Sequence, residues 1–143
     1  MRELLAIFLI ATTTACFYRA YYHSPIKAAT SAAEFAQVAF VERNIDKAFS
    51  MLHPDFQAYT TKEEFARVLT GMNSPRAPLS INATDYERIV SGEGMNIYLT
   101  GENDTQTFYY RIPMMGTAQK GYKPAGIFRN PEPYPKSESR HPL

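Results

Sequence analysis

The chain of 143 residues has one cysteine, almost no net charge and no long apolar run, and each shortage removes a class of explanation. With Cys16 alone, no internal disulfide can form, so stability in an oxidising compartment has to come from a packed core. The net charge is +1, and Lys and Arg are scattered instead of interleaved with aromatics, which gives no reason to expect a nucleic acid partner. His23, His53 and His141 stand far apart, without the close spacing that two ligands on one helix need, so no metal is expected. There is no glycine-rich phosphate loop and no nucleophile elbow, and no cofactor is expected.

The longest uncharged apolar run covers residues 4–15. A membrane-spanning helix needs about 20 apolar residues, whereas roughly 7–15 suit the core of a secretory signal. The run ends in Thr13, Thr14 and Ala15, and with Cys16 these look like the bacterial lipoprotein cleavage motif, in which the cysteine is lipidated. Extended to Tyr22, the same segment becomes an uncleaved anchor, with Arg19 snorkelling and Tyr18, Tyr21 and Tyr22 at the interface. Residues 1–15 are therefore expected to be a signal peptide or membrane anchor and residues 16–24 a spacer. The protein is expected to be exported and attached through its N-terminus, facing the periplasm or the cell exterior.

Hydrophobic residues make up 45% of the chain and charged ones 20%, enough to pack a single domain. Charge is uneven within it. Residues 79–105 carry Asp85, Glu87, Glu93, Glu102 and Asp104 against Arg88, and the basic residues concentrate after residue 106. Opposite signs on neighbouring strands favour pairing.

Ser24-Pro25 is a helix start, a capping hydroxyl followed by a first-turn proline. Ile26, Ala29, Ala33, Ala36 and Phe40 then recur at helical spacing, and Phe35, Val38 and Val41 widen the apolar face, predicting a helix to about Arg43. A second helix with Ile45, Ala48, Phe49 and Leu52 inward stops at Pro54, and residues 56–59 are expected to form a small strand. Thr61-Lys62-Glu63-Glu64 fits a capping box that opens a third helix, with Gly71 placed to end it. Beyond the linker at residues 74–78 the apolar period changes to two. Leu79, Ile81 and Ala83 alternate, the phase slips at Thr84-Asp85, and Met95, Ile97 and Leu99 form the next strand. Phe108, Tyr110 and Ile112 alternate with Tyr109 and Arg111, and a final strand is predicted over residues 122–128. Four prolines in residues 131–143 predict a flexible tail.

This order, with Asn44-Ile45-Asp46-Lys47-Ala48-Phe49, then Leu52-His53-Pro54-Asp55-Phe56, then Lys62-Glu63-Glu64-Phe65, resembles the nuclear transport factor two-like superfamily over residues 25–130, and in particular its small exported bacterial members of undefined role. The resemblance implies an α+β fold, three N-terminal helices packed on a curved, mostly antiparallel sheet forming a cone. It further implies either an apolar pocket inside the cone or a sheet face used for a homodimer or a protein partner.

No acid–base set stands out. The catalytic candidates are Asp55 and His53 around Pro54, Glu34 beside Phe35, and Tyr59 as hydrogen-bond donor, for a lyase, isomerase or cyclase using a pocket carboxylate as base. Against this, His53 and Asp55 suit capping and turn roles, and Glu34 suits a solvated helix face. Tyr98, Tyr109, Tyr110 and Arg111 are the ligand-binding candidates, although tyrosines serve equally as walls of a curved sheet and Arg111 can pair with a neighbouring carboxylate. The leading expectation is a tethered domain that binds a small apolar ligand or a protein partner, rather than an enzyme.

Overall fold

Ser24 opens the first helix by accepting a hydrogen bond on its hydroxyl from the Lys27 amide, with Pro25 in the first turn where no donor is missed. The computed structural model describes residues 22–90 and 92–143. The apolar segment at 4–15, Cys16, Tyr18, Arg19 and Tyr21 lie outside the described residues. Helix α1 (Pro25–Ala36) runs directly into a π-helical stretch (Gln37–Val41), where the Glu42 amide reaches back five residues to the Gln37 carbonyl at 2.9 Å. Ala28, Ala32, Phe35, Ala36, Ala39 and Phe40 are almost fully buried, a wider apolar surface than one amphipathic stripe presents.

Three shorter helices follow. The α2 helix (Ile45–Met51) is capped by Asn44, and α3 (Pro54–Tyr59) by His53, whose Nδ1 accepts from the Asp55 amide. In α4 (Lys62–Met72) Thr61 and Glu64 form the expected reciprocal capping box. Two local expectations fail here. Residues 56–59 belong to α3 and not to a strand, because His53-Pro54 acts as a helix start as well as the stop of α2. Gly71 lies inside α4, which ends at Asn73 instead.

The strands are β1 (Ser80–Arg88), β2 (Gly94–Asn103), β3 (Gln106–Thr117), β4 (Gly121–Pro124), β5 (Phe128–Asn130) and β6 (Arg140–Pro142). They form one antiparallel sheet in the order β4-β3-β2-β1-β6, with β5 also paired to β3. The fold is α+β, with four helices and six strands among the described residues. On the inner face, Ile81, Met95, Ile97, Leu99, Phe108, Tyr110, Ile112 and Met114 pack against α1 and the π-helical stretch. Phe40 stacks on Tyr110 with ring centroids 4.4 Å apart. Burying an aromatic pair of this kind contributes several kcal/mol, on the order of 1.5–3 per ring.

The single final strand expected at 122–128 is divided between β4 and β5. Within a strand the amide and carbonyl of one residue point to the same side, and the Pro113 carbonyl accepts from the Ala125 amide on this edge. Pro113 therefore has no donor to offer the edge strand, so the ladder lapses between Met114↔Pro124 and Arg111↔Phe128.

The C-terminal tail is laid down on the sheet, contrary to the flexible tail predicted from its prolines. Arg140–Pro142 pairs with Asp85–Glu87 of β1, and the Leu143 amide donates to the Thr84 carbonyl at 3.1 Å. Proline lacks an amide donor, but an edge strand needs donors on one side only, so Pro142 is accommodated.

Candidate functional site

A bulge creates the polar surface on the other face of the sheet. Ile81 and Ala83 point inward opposite Gly101 and Leu99; strict alternation would send Asp85 inward after them. The register shifts between Ala83 and Asp85, so Tyr86 takes the inward place opposite Ile97. Asp85 and Glu87 then face outward beside Tyr98 and Asn96. On β3, Arg111 lies opposite Tyr98 and Tyr109 opposite Thr100, completing the outer face.

The tail supplies partners for Asp85, Glu87, Tyr98 and Arg111. Arg140 forms an ion pair with Asp85 at 2.9 Å and lies over the Tyr98 ring, 4.0 Å from its centroid. The Tyr98 hydroxyl donates to Glu87 at 2.8 Å, and the Ser137 and Ser139 hydroxyls donate to the other Glu87 oxygen. Tyr134 meets Tyr98 edge-on at 5.4 Å, and its carbonyl accepts from Arg140. Arg111 lies over Phe128 at 4.6 Å and reaches the Tyr134 ring at 5.8 Å. The cross-strand ion pair expected of Arg111 is absent among the described residues; aromatic faces stand where a carboxylate was anticipated, because Tyr98 is its opposite number on β2.

Titration behaviour follows from these contacts. Partial burial pushes Asp85 up, but hydrogen bonds from Thr84 and Arg140 and the Arg140 charge outweigh it and hold the carboxyl below its ordinary 3.8. Hydrogen bonds from Ser139 and Tyr98 hold Glu87 below 4.5 against its partial burial. Burial, reinforced by the bond to Glu87, pushes Tyr98 up to about 12. Burial raises Tyr134 as well.

A second locus sits at the loop end of the sheet. A groove of about 360 Å³ is lined by His53, Asp55, Gly92, Glu93, Met115, Gly116, Thr117 and Lys120. The first described residues are fastened next to it. The Tyr22 carbonyl accepts from the Ala118 amide, His23 Nε2 lies 2.7 Å from the Gly92 carbonyl, and Ser24 donates its amide to the Tyr122 hydroxyl at 2.9 Å. Lys27 donates to the Ala118 carbonyl at 3.1 Å. The chain therefore enters the domain beside this groove.

The candidates named from sequence do not converge. His53 and Asp55 share the groove, with Nδ1 to Oδ2 at 3.7 Å, but the Asp55 carboxylate is 85% exposed and His53 caps α3. Glu34 is exposed on α1, and Tyr59 is 89% exposed at the end of α3; neither lines the groove. Tyr98, Tyr109 and Arg111 belong to the outer face, whereas Tyr110 is on the inner face, fully buried, with a hydroxyl that has no hydrogen-bond partner among the described residues. Burial pushes Tyr110 up to about 12. Among the described residues no group of three His, Cys, Asp or Glu is placed to hold a metal ion, and no helix is long and apolar enough to cross a membrane. Sequence reasoning missed Asp85, Glu87, Tyr134 and Arg140 as a set. The charge asymmetry between residues 79–105 and the C-terminal part was the available signal.

Comparison with known proteins returns nothing: no family model, no curated protein and no solved structure matches the chain.

Proposed function

We propose that the protein is an exported, membrane-tethered binding domain of the nuclear transport factor two-like kind, and that it binds a protein partner presenting an extended segment. One observation carries this reading. The outer face of the sheet already holds a proline-rich segment, its own tail, through an ion pair, ring stacking and, over the extended Arg140–Pro142, strand pairing. Strand addition of this type draws affinity from main-chain bonds and specificity from side-chain sites. The inner face, where a small apolar ligand or a substrate would sit in a cone, is filled by Phe35, Phe40, Phe108 and Tyr110. That packing favours a partner protein over an apolar ligand. The lyase reading also lacks support, since Glu34, Asp55 and Tyr59 are exposed and share no enclosed cavity.

Two measurements test the two halves. A reporter enzyme fused after residue 30 is expected to be active outside the cytoplasm and to sediment with membranes; cytoplasmic activity would end the tether reading. For binding, a labelled peptide of residues 131–143 is titrated into the full chain carrying Arg140→Ala, which vacates the Asp85 and Tyr98 contacts. Saturable binding is expected, weakened about tenfold or more when the peptide lacks its arginine. No binding by a folded protein at millimolar peptide would end the binding half.

A further inference from the structure

The direction of the chain around β5 makes the docked tail exchangeable. In the β3–β5 ladder, Phe128 lies opposite Arg111 and Asn130 opposite Tyr109, so the chain is running away from Arg111 as β5 ends. Tyr134, four residues later, is back at Arg111 and Tyr98. The whole reversal is made by residues 131–133, and it is held by the Asn130 side-chain amide donating to the Glu132 carbonyl at 2.8 Å. Beyond it, every specific contact of the tail belongs to residues 134–143, and the strand pairing covers only three residue pairs. The unit is thus a short recognition segment joined to the domain by one exposed proline-containing hinge.

We infer that residues 134–143 exchange between copies of the chain, each tail docking on the outer sheet face and β1 edge of a second copy, with residues 131–133 as the hinge. This deepens the binding reading above, on which it rests, by naming the partner. A second copy is the occupant favoured by the contacts themselves, since it carries the tyrosine, serines and arginine that satisfy Tyr98, Glu87 and Asp85. Exchange preserves all these contacts, so the closed and exchanged forms differ only in the hinge and in the entropy of association. A short linker gives the attached tail an effective concentration in the millimolar range, so the closed form dominates in dilute solution. Confinement at a membrane raises the concentration of neighbouring tails toward that range. A homodimer built on the bare sheet face would instead have to displace the tail first.

The test uses the full chain with Cys16→Ser, Tyr86→Cys and His141→Cys, because Tyr86 and His141 are paired across β1 and β6. Oxidation joins them within one chain in the closed form and between two chains after exchange, which a denaturing gel separates. Deleting residues 131–133 removes the reversal, so the tail can only run outward. The covalent dimer is expected to rise about tenfold or more, and to disappear when Arg140→Ala is added. In the undeleted chain, the dimer fraction is expected to climb as protein concentration rises from micromolar to millimolar. A deleted chain that forms only the intrachain bond, or stays monomeric without any bond, overturns exchange. So does a dimer that survives Arg140→Ala. If the labelled peptide binds while the deleted chain stays monomeric, exchange fails and the binding reading stands; if the peptide fails to bind as well, both fall.

Discussion

The inner and outer faces of this one sheet are covered in opposite ways. Inside, α1 and its π-helical continuation cover Met95, Ile97, Leu99, Phe108 and Ile112 with alanine and phenylalanine side chains, and no buried polar or charged residue is present among the described residues. Outside, a tail with little regular structure is held by a carboxylate, a guanidinium, hydroxyls and ring faces. The inner cover depends on volume and apolar area, which are non-directional. The outer cover depends on matching individual groups, most of them partly exposed to water. A cover of the first kind is permanent, and one of the second kind can be released and replaced, as a binding surface requires.

That contrast can be broken by mutation. The largest effect is expected for Phe40→Ala, which removes the ring stacked on Tyr110 and should cost about 3–5 kcal/mol in denaturant unfolding. A loss below about 1 kcal/mol would mean that the inner cover is not what holds the domain. Next comes Arg140→Ala, expected to cost about 2 kcal/mol of tail docking. Hydrogen exchange at the Leu143 amide should accelerate accordingly while unfolding of the inner core moves little. If the core unfolds in step with the tail, the two faces are one cooperative unit.

Acidification should separate the faces by charge. Asp85 and Glu87 have lowered pKa values in the folded protein, so the stability they confer is complete above their unfolded values and is lost as pH falls through the lower folded ones. Tail amides should therefore lose protection below about pH 4 before the core does, and Asp85→Asn should blunt that response. The smallest change is expected from Tyr110→Phe. Its hydroxyl is buried without a partner among the described residues, so removing it should leave stability within about 0.5 kcal/mol of the parent or raise it. A clear loss would reveal a hydrogen bond to that hydroxyl and a less purely apolar inner face.

The elements legible from sequence were those encoded by neighbouring residues. The Ser24-Pro25 start, the Thr61–Glu64 capping box and the phase slip at Thr84 each follow from local chemistry and were located correctly. At residues 56–59 the local signal was ambiguous, since His53-Pro54 both stops one helix and starts another. The tail was not legible because its docking joins Arg140 to Asp85 across 55 positions, and composition alone describes a segment without a partner. The same limit applied to the site. Tyr98, Tyr109 and Arg111 could be assigned to one face by alternation, whereas the bulge that turns Asp85 and Glu87 toward them only acquires that meaning once the strands are paired.

The missing donor at Pro113 has a further consequence for colloidal behaviour. It leaves the β3 side of the sheet edged by two short, offset strands with a break between them, and such an edge is a poor template for adding foreign strands or seeding fibrils. The opposite side, along β1, is bent by the bulge at Thr84 and is shielded over Asp85–Glu87 by only three residues, Arg140–Pro142. Proteolytic trimming of the last few residues would then uncover the β1 edge, and any strand-to-strand association of the trimmed protein is expected to start there.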